Sequence, residues 1–221
     1  MDREMVNDRL RDAIVEGDEA SWEALAAAGP IAVESFRDLL AGERRPGFPT
    51  GRDRDLIDNT TSVSCRLASR FPDEYVAAFR APRWRSVAWV LDGYGYTRLP
   101  EVRPILIEAL LSDLDWTTRM SAASSLGSFP GTESVQALLA VLDDPEYLIR
   151  YHAIRSLGTI GDQAALDRLL PLVTDPASRG VAMAATAAVR SITGRLGVMV
   201  DLPEIEPLTK SVVLPPEDSS S

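Results

Sequence analysis

In TESVQALLAVLDD (residues 132–144) the apolar residues Val135, Leu138, Leu139 and Leu142 fall at i, i+3, i+4 and i+7, the stripe of an amphipathic helix with one buried side. In QAALDRLLPLVTD (residues 163–175) Leu166, Leu169, Leu170 and Val173 repeat that stripe, each 31 positions further on. The stretch before each stripe repeats as well. Asp113, Arg119, Ala122, Ser125, Leu126 and Gly127 recur as Asp144, Arg150, Ala153, Ser156, Leu157 and Gly158 at the same displacement of 31. A weaker third copy keeps Asp175 and Ala184. Each unit thus reads as a turn containing Asp, a helix with Ala and Leu inward, a glycine stop at Gly127, Gly158 or Gly161, and a second Leu-rich helix. Two such helices cannot bury their stripes alone, so the period predicts stacked hairpins in an all-α superhelical solenoid.

Upstream, residues 85–111 fit as a degenerate unit, with Ala88 and Leu91 in core places and Val102, Ile105, Leu106, Ala109 and Leu110 as the second stripe. Before that the repeat fades. Residues 5–17, 19–29 and 30–42 read as three helices, with Gly17, Gly29 and Gly42 as stops and Pro30 at a favourable first position. Residues 43–53 read as a loop, and residues 53–71 and 72–79 as a further helix pair, which brings the expectation to about ten helices. The chain divides into an N-terminal helical region of degenerate repeats or a bundle (1–80), the repeat array (81–194), and a Pro- and Ser-rich tail expected to be extended or disordered (195–221).

The pattern Asp-Pro-x-x-x-x-Arg-x-x-Ala-x-x-x-Leu-Gly at residues 144–158, followed by Thr159-Ile160-Gly161, resembles the HEAT-like repeat of the phycobilisome-lyase type. The resemblance implies that the helix after each Asp turn is the inner helix of its hairpin, lining a concave surface. It also implies that Asp113, Asp144 and Asp175 are the turn aspartates, with Arg119 and Arg150 bonding to them and to neighbours in a ladder. Val181 stands where the third arginine belongs, so the ladder would end there. On physical grounds each Asp is an N-cap candidate, and each Arg can pair with a carboxylate of the adjacent repeat.

Charge changes the picture only modestly. The net charge is −10, yet it is uneven: Met1 to Glu43 holds 11 acids and 4 arginines, whereas Arg44 to Arg103 holds 7 acids and 11 arginines. A field of this overall sign attracts basic partners and disfavours nucleic acid. Lys210 is the sole lysine among 23 basic residues, a bias read as that of a GC-rich bacterial genome. No apolar run approaches the roughly 20 residues of a membrane span, and the start of the chain has no signal-peptide pattern, so a cytoplasmic location without membrane association is expected. The lone Cys65 agrees with a reducing compartment.

Catalytic signals are sparse. One histidine, His152, and one cysteine cannot build a His-based zinc site, and no HExxH, CxxC or EF-hand spacing occurs, so no metal or other cofactor is expected. A Cys65–His152 pair would have to meet across more than one repeat. Gly93-x-Gly95 follows a helix and lacks the third glycine of a dinucleotide fingerprint. The carboxylate pairs Asp143-Asp144 and Asp53-Asp55 read as surface turns.

Binding is the better-supported class. Trp116 and Tyr147 occupy equivalent places 31 apart; Tyr151, His152 and Arg155 follow on the second helix, Met120 on the first, and Trp84 and Arg85 stand in the preceding unit. Aromatics and arginines dominate interface energetics, at about 2 kcal/mol or more per hot spot. The favoured reading is a non-enzymatic scaffold or regulator that holds a protein partner on its concave face, as an adaptor, an enzyme regulator or an immunity-type inhibitor. Two alternatives come from proteins with similar repeats: a bilin lyase or chromophore-handling chaperone, and a nucleic-acid binder or DNA glycosylase.

Overall fold

The computed structural model describes residues 2–17, 19–41, 54–175 and 178–202. Among these every regular element is helical. Twelve α-helices follow one another: α1 (Arg3–Val15), α2 (Glu19–Ala28), α3 (Ile31–Ala41), α4 (Arg54–Arg70), α5 (Pro72–Phe79), α6 (Ala88–Thr97), α7 (Arg103–Leu111), α8 (Trp116–Leu126), α9 (Thr132–Ala140), α10 (Tyr147–Ile160), α11 (Gln163–Leu169) and α12 (Arg179–Leu196). Short 3-10 turns precede α6 and α7 and follow α11. The expected loop at 43–53, the stop at Gly42 and the tail beyond Leu202 lie outside the described residues.

From α4 onward the helices alternate between two layers. In one, α4 packs on α6, α6 on α8, α8 on α10 and α10 on α12; in the other, α7, α9 and α11 follow in turn. This follows from the sequence stripe: Val135, Leu138, Leu166 and Leu169 are buried between the layers, and Leu126 and Leu157 are wholly buried from the opposite side. Each such leucine contributes about 1.5–3 kcal/mol. The N-terminal helices attach to this framework through α1 against α4 and α3 against α5.

The glycines expected to stop the first helices do something else. Gly158 lies inside α10, Gly127 closes α8 in a right-handed conformation (φ −60°), and Gly161 is extended (φ −64°, ψ 151°). Their role is close approach. A Cβ on Gly95 would lie 2.8 Å from Ser125 Oγ, on Gly127 2.9 Å from Ser156 Oγ, and on Gly158 3.0 Å from the Cα of Ala188. Consecutive helices of the first layer thus meet along a seam of small residues. The seam is also hydrogen-bonded: Ser125 Oγ donates to the Leu91 carbonyl at 2.8 Å, and Ser156 Oγ to the Ala123 carbonyl at 2.8 Å. By contrast Gly17 and Gly29 do carry positive φ (65° and 75°), the left-handed state that suits glycine at the ends of α1 and α2.

An aromatic cluster joins the N-terminal helices to the array. Phe79 of α5 meets Phe36 of α3 at 6.1 Å, Tyr75 at 4.7 Å and Trp84 at 5.2 Å between ring centroids, and Tyr75 meets Tyr94 of α6 at 5.9 Å. Gly93 makes room for it, since a Cβ there would lie 2.3 Å from the Tyr75 hydroxyl. The Gly93-x-Gly95 pair is therefore a packing device, clearing Tyr75 with one glycine and Ser125 with the other.

Candidate partner-binding face

Asp115, not Asp113, starts α8: its carboxylate accepts from the backbone amides of Thr117 (3.0 Å) and Thr118 (3.1 Å). The helix after Asp144 begins at Tyr147 with no side-chain cap, and α12 is capped by Ser178, whose hydroxyl accepts from Val181 N at 3.3 Å. The expected N-cap role of Asp113, Asp144 and Asp175 is thus corrected, because each lies three or more positions before the first residue of its helix. Asp113 is exposed. Asp144 is buried instead, its Oδ1 accepting from Glu146 N at 2.9 Å while Oδ2 pairs with Arg119 of the preceding repeat. Arg119 also donates to the Leu110 carbonyl at 3.2 Å, and Arg150 donates to the carbonyls of Asp144 (2.6 Å) and Pro145 (3.0 Å). These arginines tie turns to helices.

Placed at the first position of α8, Trp116 projects past the cap and is 44% exposed; Tyr147, first in α10, is 39% exposed. One turn into α10, Tyr151 packs beside Tyr147 at 5.9 Å, with His152 edge-on to Tyr151 at 5.5 Å. The Arg150 guanidinium lies 6.0 Å from the Tyr147 ring, and that of Arg155 lies 5.8 Å from Tyr151. Met120 and Tyr151 are partly buried against the core. Burial, reinforced by Arg155, holds the His152 imidazole below its ordinary range and so favours its uncharged form. The structure brings Tyr147, Tyr151, His152 and Arg155 together on α10, with Trp116 and Met120 at the equivalent repeat positions on α8.

Trp84 does not belong to this face. It is 4% exposed and wedged edge-on against Phe79, so the expectation that it contacts a partner is corrected: it fills the junction between α5 and α6. Arg85 beside it is committed to Glu108 at 2.7 Å.

Two grooves flank Arg155. One of about 490 Å³ runs between α10 and α12, with Tyr151, Arg155 and Thr159 on one wall, Met183 and Ser191 on the other, and a floor of glycine and alanine. The other, about 270 Å³, lies between α8 and α10 and contains His152, Ser124 and Ser128. Met183 and the α12 wall escape a sequence reading because Gly180, Ala184, Ala187 and Ala188 look like core filler. The one available signal is that α12 has no acidic residue.

A third groove, of about 740 Å³, lies near the N-terminal end of the layer between Trp22, Cys65 and Tyr96. Burial, with Asp92 adding to it, pushes the Cys65 thiol up to about 12, which disfavours the thiolate at neutral pH. Cys65 on α4 and His152 on α10 are separated by α6 and α8 in the layer order. Among the described residues no three His, Cys, Asp or Glu side chains are grouped as ligands for a metal ion, and no helix is long and apolar enough to cross a membrane.

The model of HEAT repeats matches residues 80–190. The chain belongs to the HEAT-repeat family. HEAT repeats are a fold of the protein-interaction scaffold kind, and the seam of α6, α8, α10 and α12 lies within the matched span. Among solved structures the chain is similar to the crystal structure of an engineered protein, at 18% identity and a TM-score of 0.49, over 87% of this chain and 90% of that one. No protein of curated function matches the chain.

Proposed function

We propose that this HEAT-repeat protein is a non-enzymatic scaffold or regulator, holding a protein partner on the face where α8 and α10 present Trp116 and Tyr147. The observation that carries this reading is the pair itself: two large aromatics at equivalent repeat positions, each more than a third exposed, although the Tyr147 hydroxyl also rests over Gly180 of α12. Rigid aromatics flanked by arginines supply contact area at low entropic cost. The net charge of −10 favours a partner that is basic as a whole, and the single cysteine agrees with a cytoplasmic setting. Residues 1–80 serve as the N-terminal part of the same scaffold, and the adaptor, regulator and inhibitor roles share this mode of binding.

The test is capture of the partner from native lysate, followed by reconstitution with the purified partner and titration against a Trp116→Ala, Tyr147→Ala variant. A loss of affinity of roughly thirtyfold or more is expected, the equivalent of about 2 kcal/mol. Undiminished binding by a correctly folded variant would remove the face from the reading.

A further inference from the structure

The protein is acidic overall, yet its last two first-layer helices are not. Between them α10 and α12 carry Arg150, Arg155, Arg179, Arg190 and Arg195 and not one aspartate or glutamate. No acidic side chain lines either groove beside Arg155. Two of these arginines are spent on the backbone: Arg150 on the turn carbonyls, and Arg195 on those of Gly158 (2.6 Å) and Gly161 (2.7 Å). Arg155 differs. Its guanidinium rests against the Tyr151 ring and makes no hydrogen bond or ion pair among the described residues, although it is exposed on the ridge between two grooves. A planar cation held by a ring is arranged to receive a carboxylate, and in the adjoining groove the Ser191 hydroxyl, which accepts from Arg195 at 3.2 Å, keeps its own proton to donate, while that of Thr159 is turned to the Arg155 carbonyl at 3.4 Å.

We propose that the groove between α10 and α12 receives a short acidic segment of a protein partner, with a carboxylate paired to Arg155 and a neighbouring aliphatic side chain laid against Met183 and the small-residue floor. The proposal rests on the scaffold reading above and specifies the chemistry it reads. Charge complementarity favours this occupant over nucleic acid: a chain of net charge −10 repels a long polyanion, whereas a few carboxylates experience only the local positive field. A partner that is basic as a whole can present such a segment.

The experiment is fluorescence anisotropy at low ionic strength with the full chain and the fluorescein-labelled peptide GELEGLEEG, compared with its glutamine counterpart GQLQGLQQG. The wild type is expected to bind the acidic peptide roughly tenfold tighter or more, the scale of one charge-assisted contact. Arg155→Glu should abolish that preference. Arg190→Glu makes the same charge change on α12 but away from this groove, and should leave the affinity within about twofold. Equal affinity for the two peptides overturns the proposal, as does an equal loss in both variants, which would reduce the effect to the general field. Tighter, Arg155-dependent binding of an oligothymidylate of the same length would overturn it in favour of nucleic acid. If the peptides fail while a captured partner is still lost on Trp116→Ala, Tyr147→Ala substitution, the scaffold stands and the acidic segment falls.

Discussion

Arg119 of α8 reaches out of its own repeat to pair with the buried carboxylate of Asp144, in the turn that opens the next. Because Asp144 is nearly inaccessible, the pair is shielded from the screening that makes surface ion pairs weak. Removing one partner strands the other, so Asp144→Ala is expected to lower the unfolding free energy by about 3–5 kcal/mol in urea denaturation. Replacing both, as Arg119→Met with Asp144→Leu, should recover most of that loss. A double variant as unstable as the single one would show that the turn needs the Asp144–Glu146 amide bond more than the ion pair.

The seam makes a second, opposite pair of expectations. At Gly158 a Cβ would press on the Ala188 backbone, which cannot yield, so Gly158→Val should cost about 1–3 kcal/mol or more. Gly194, in the same first layer, has nothing within 4 Å of its Cβ position. There the helix-propensity gain prevails, and Gly194→Ala should raise stability by about 0.5–1 kcal/mol. Thermal unfolding of the two variants side by side decides whether close approach is what Gly158 provides.

Asp92 of α6 gives a pH dependence. Burial pushes its carboxyl up to about 6, against a hydrogen bond from Ser121 that pulls it down. The folded chain therefore retains a proton that the unfolded chain has lost between about pH 4 and 6. Unfolding releases that proton, so this group's contribution to stability falls as pH rises through the window. Asp92→Asn removes the cost of a buried charge and is expected to stabilise the protein by on the order of 1–3 kcal/mol at pH 7.5, with the gain vanishing near pH 4. A gain independent of pH would show that solvent reaches the carboxylate.

The two tryptophans at the ends of the burial scale should separate cleanly. Trp84→Ala empties a packed aromatic site and should cost about 3–5 kcal/mol. Trp116→Ala, at an exposed helix start, should stay within about 0.5 kcal/mol. Iodide quenching adds a readout of exposure: Trp116→Phe should reduce the quenchable fluorescence, and Trp84→Phe should not.

Much of the architecture was legible because helical hairpins write themselves locally. The stripe at Val135, Leu138, Leu139 and Leu142 needs only a period of 3.6, and its recurrence needs only the step of 31. Trp84 and Trp116 show where legibility stops. Both are tryptophans beside polar residues near a helix start, and only the position of Phe79, five residues before Trp84 on a separate helix, makes one of them core. The glycines mislead for the same reason. Gly127 and Gly158 were readable as stops from their own segments, whereas their use depends on Ser156 and Ala188 in the next repeat. Turn aspartates sit near helix starts in the sequence, yet which residue caps is decided by turn length, so Asp115 was hidden behind the repeated Asp113. Met183 was invisible because the open side of α12 is set by its contact with α10.

The aromatic cluster of Phe36, Tyr75, Phe79, Trp84 and Tyr94 has a mechanical meaning. A repeat array loaded from its ends is a set of springs in series, and it yields at its softest joint. The joint between the N-terminal helices and the array would be the natural weak point, since there the 31-residue register is lost. Instead it carries the largest fully buried rings among the described residues, clamped across α3, α5 and α6. Under tension or heat those rings are expected to hold together the joint that the lost register alone would let part.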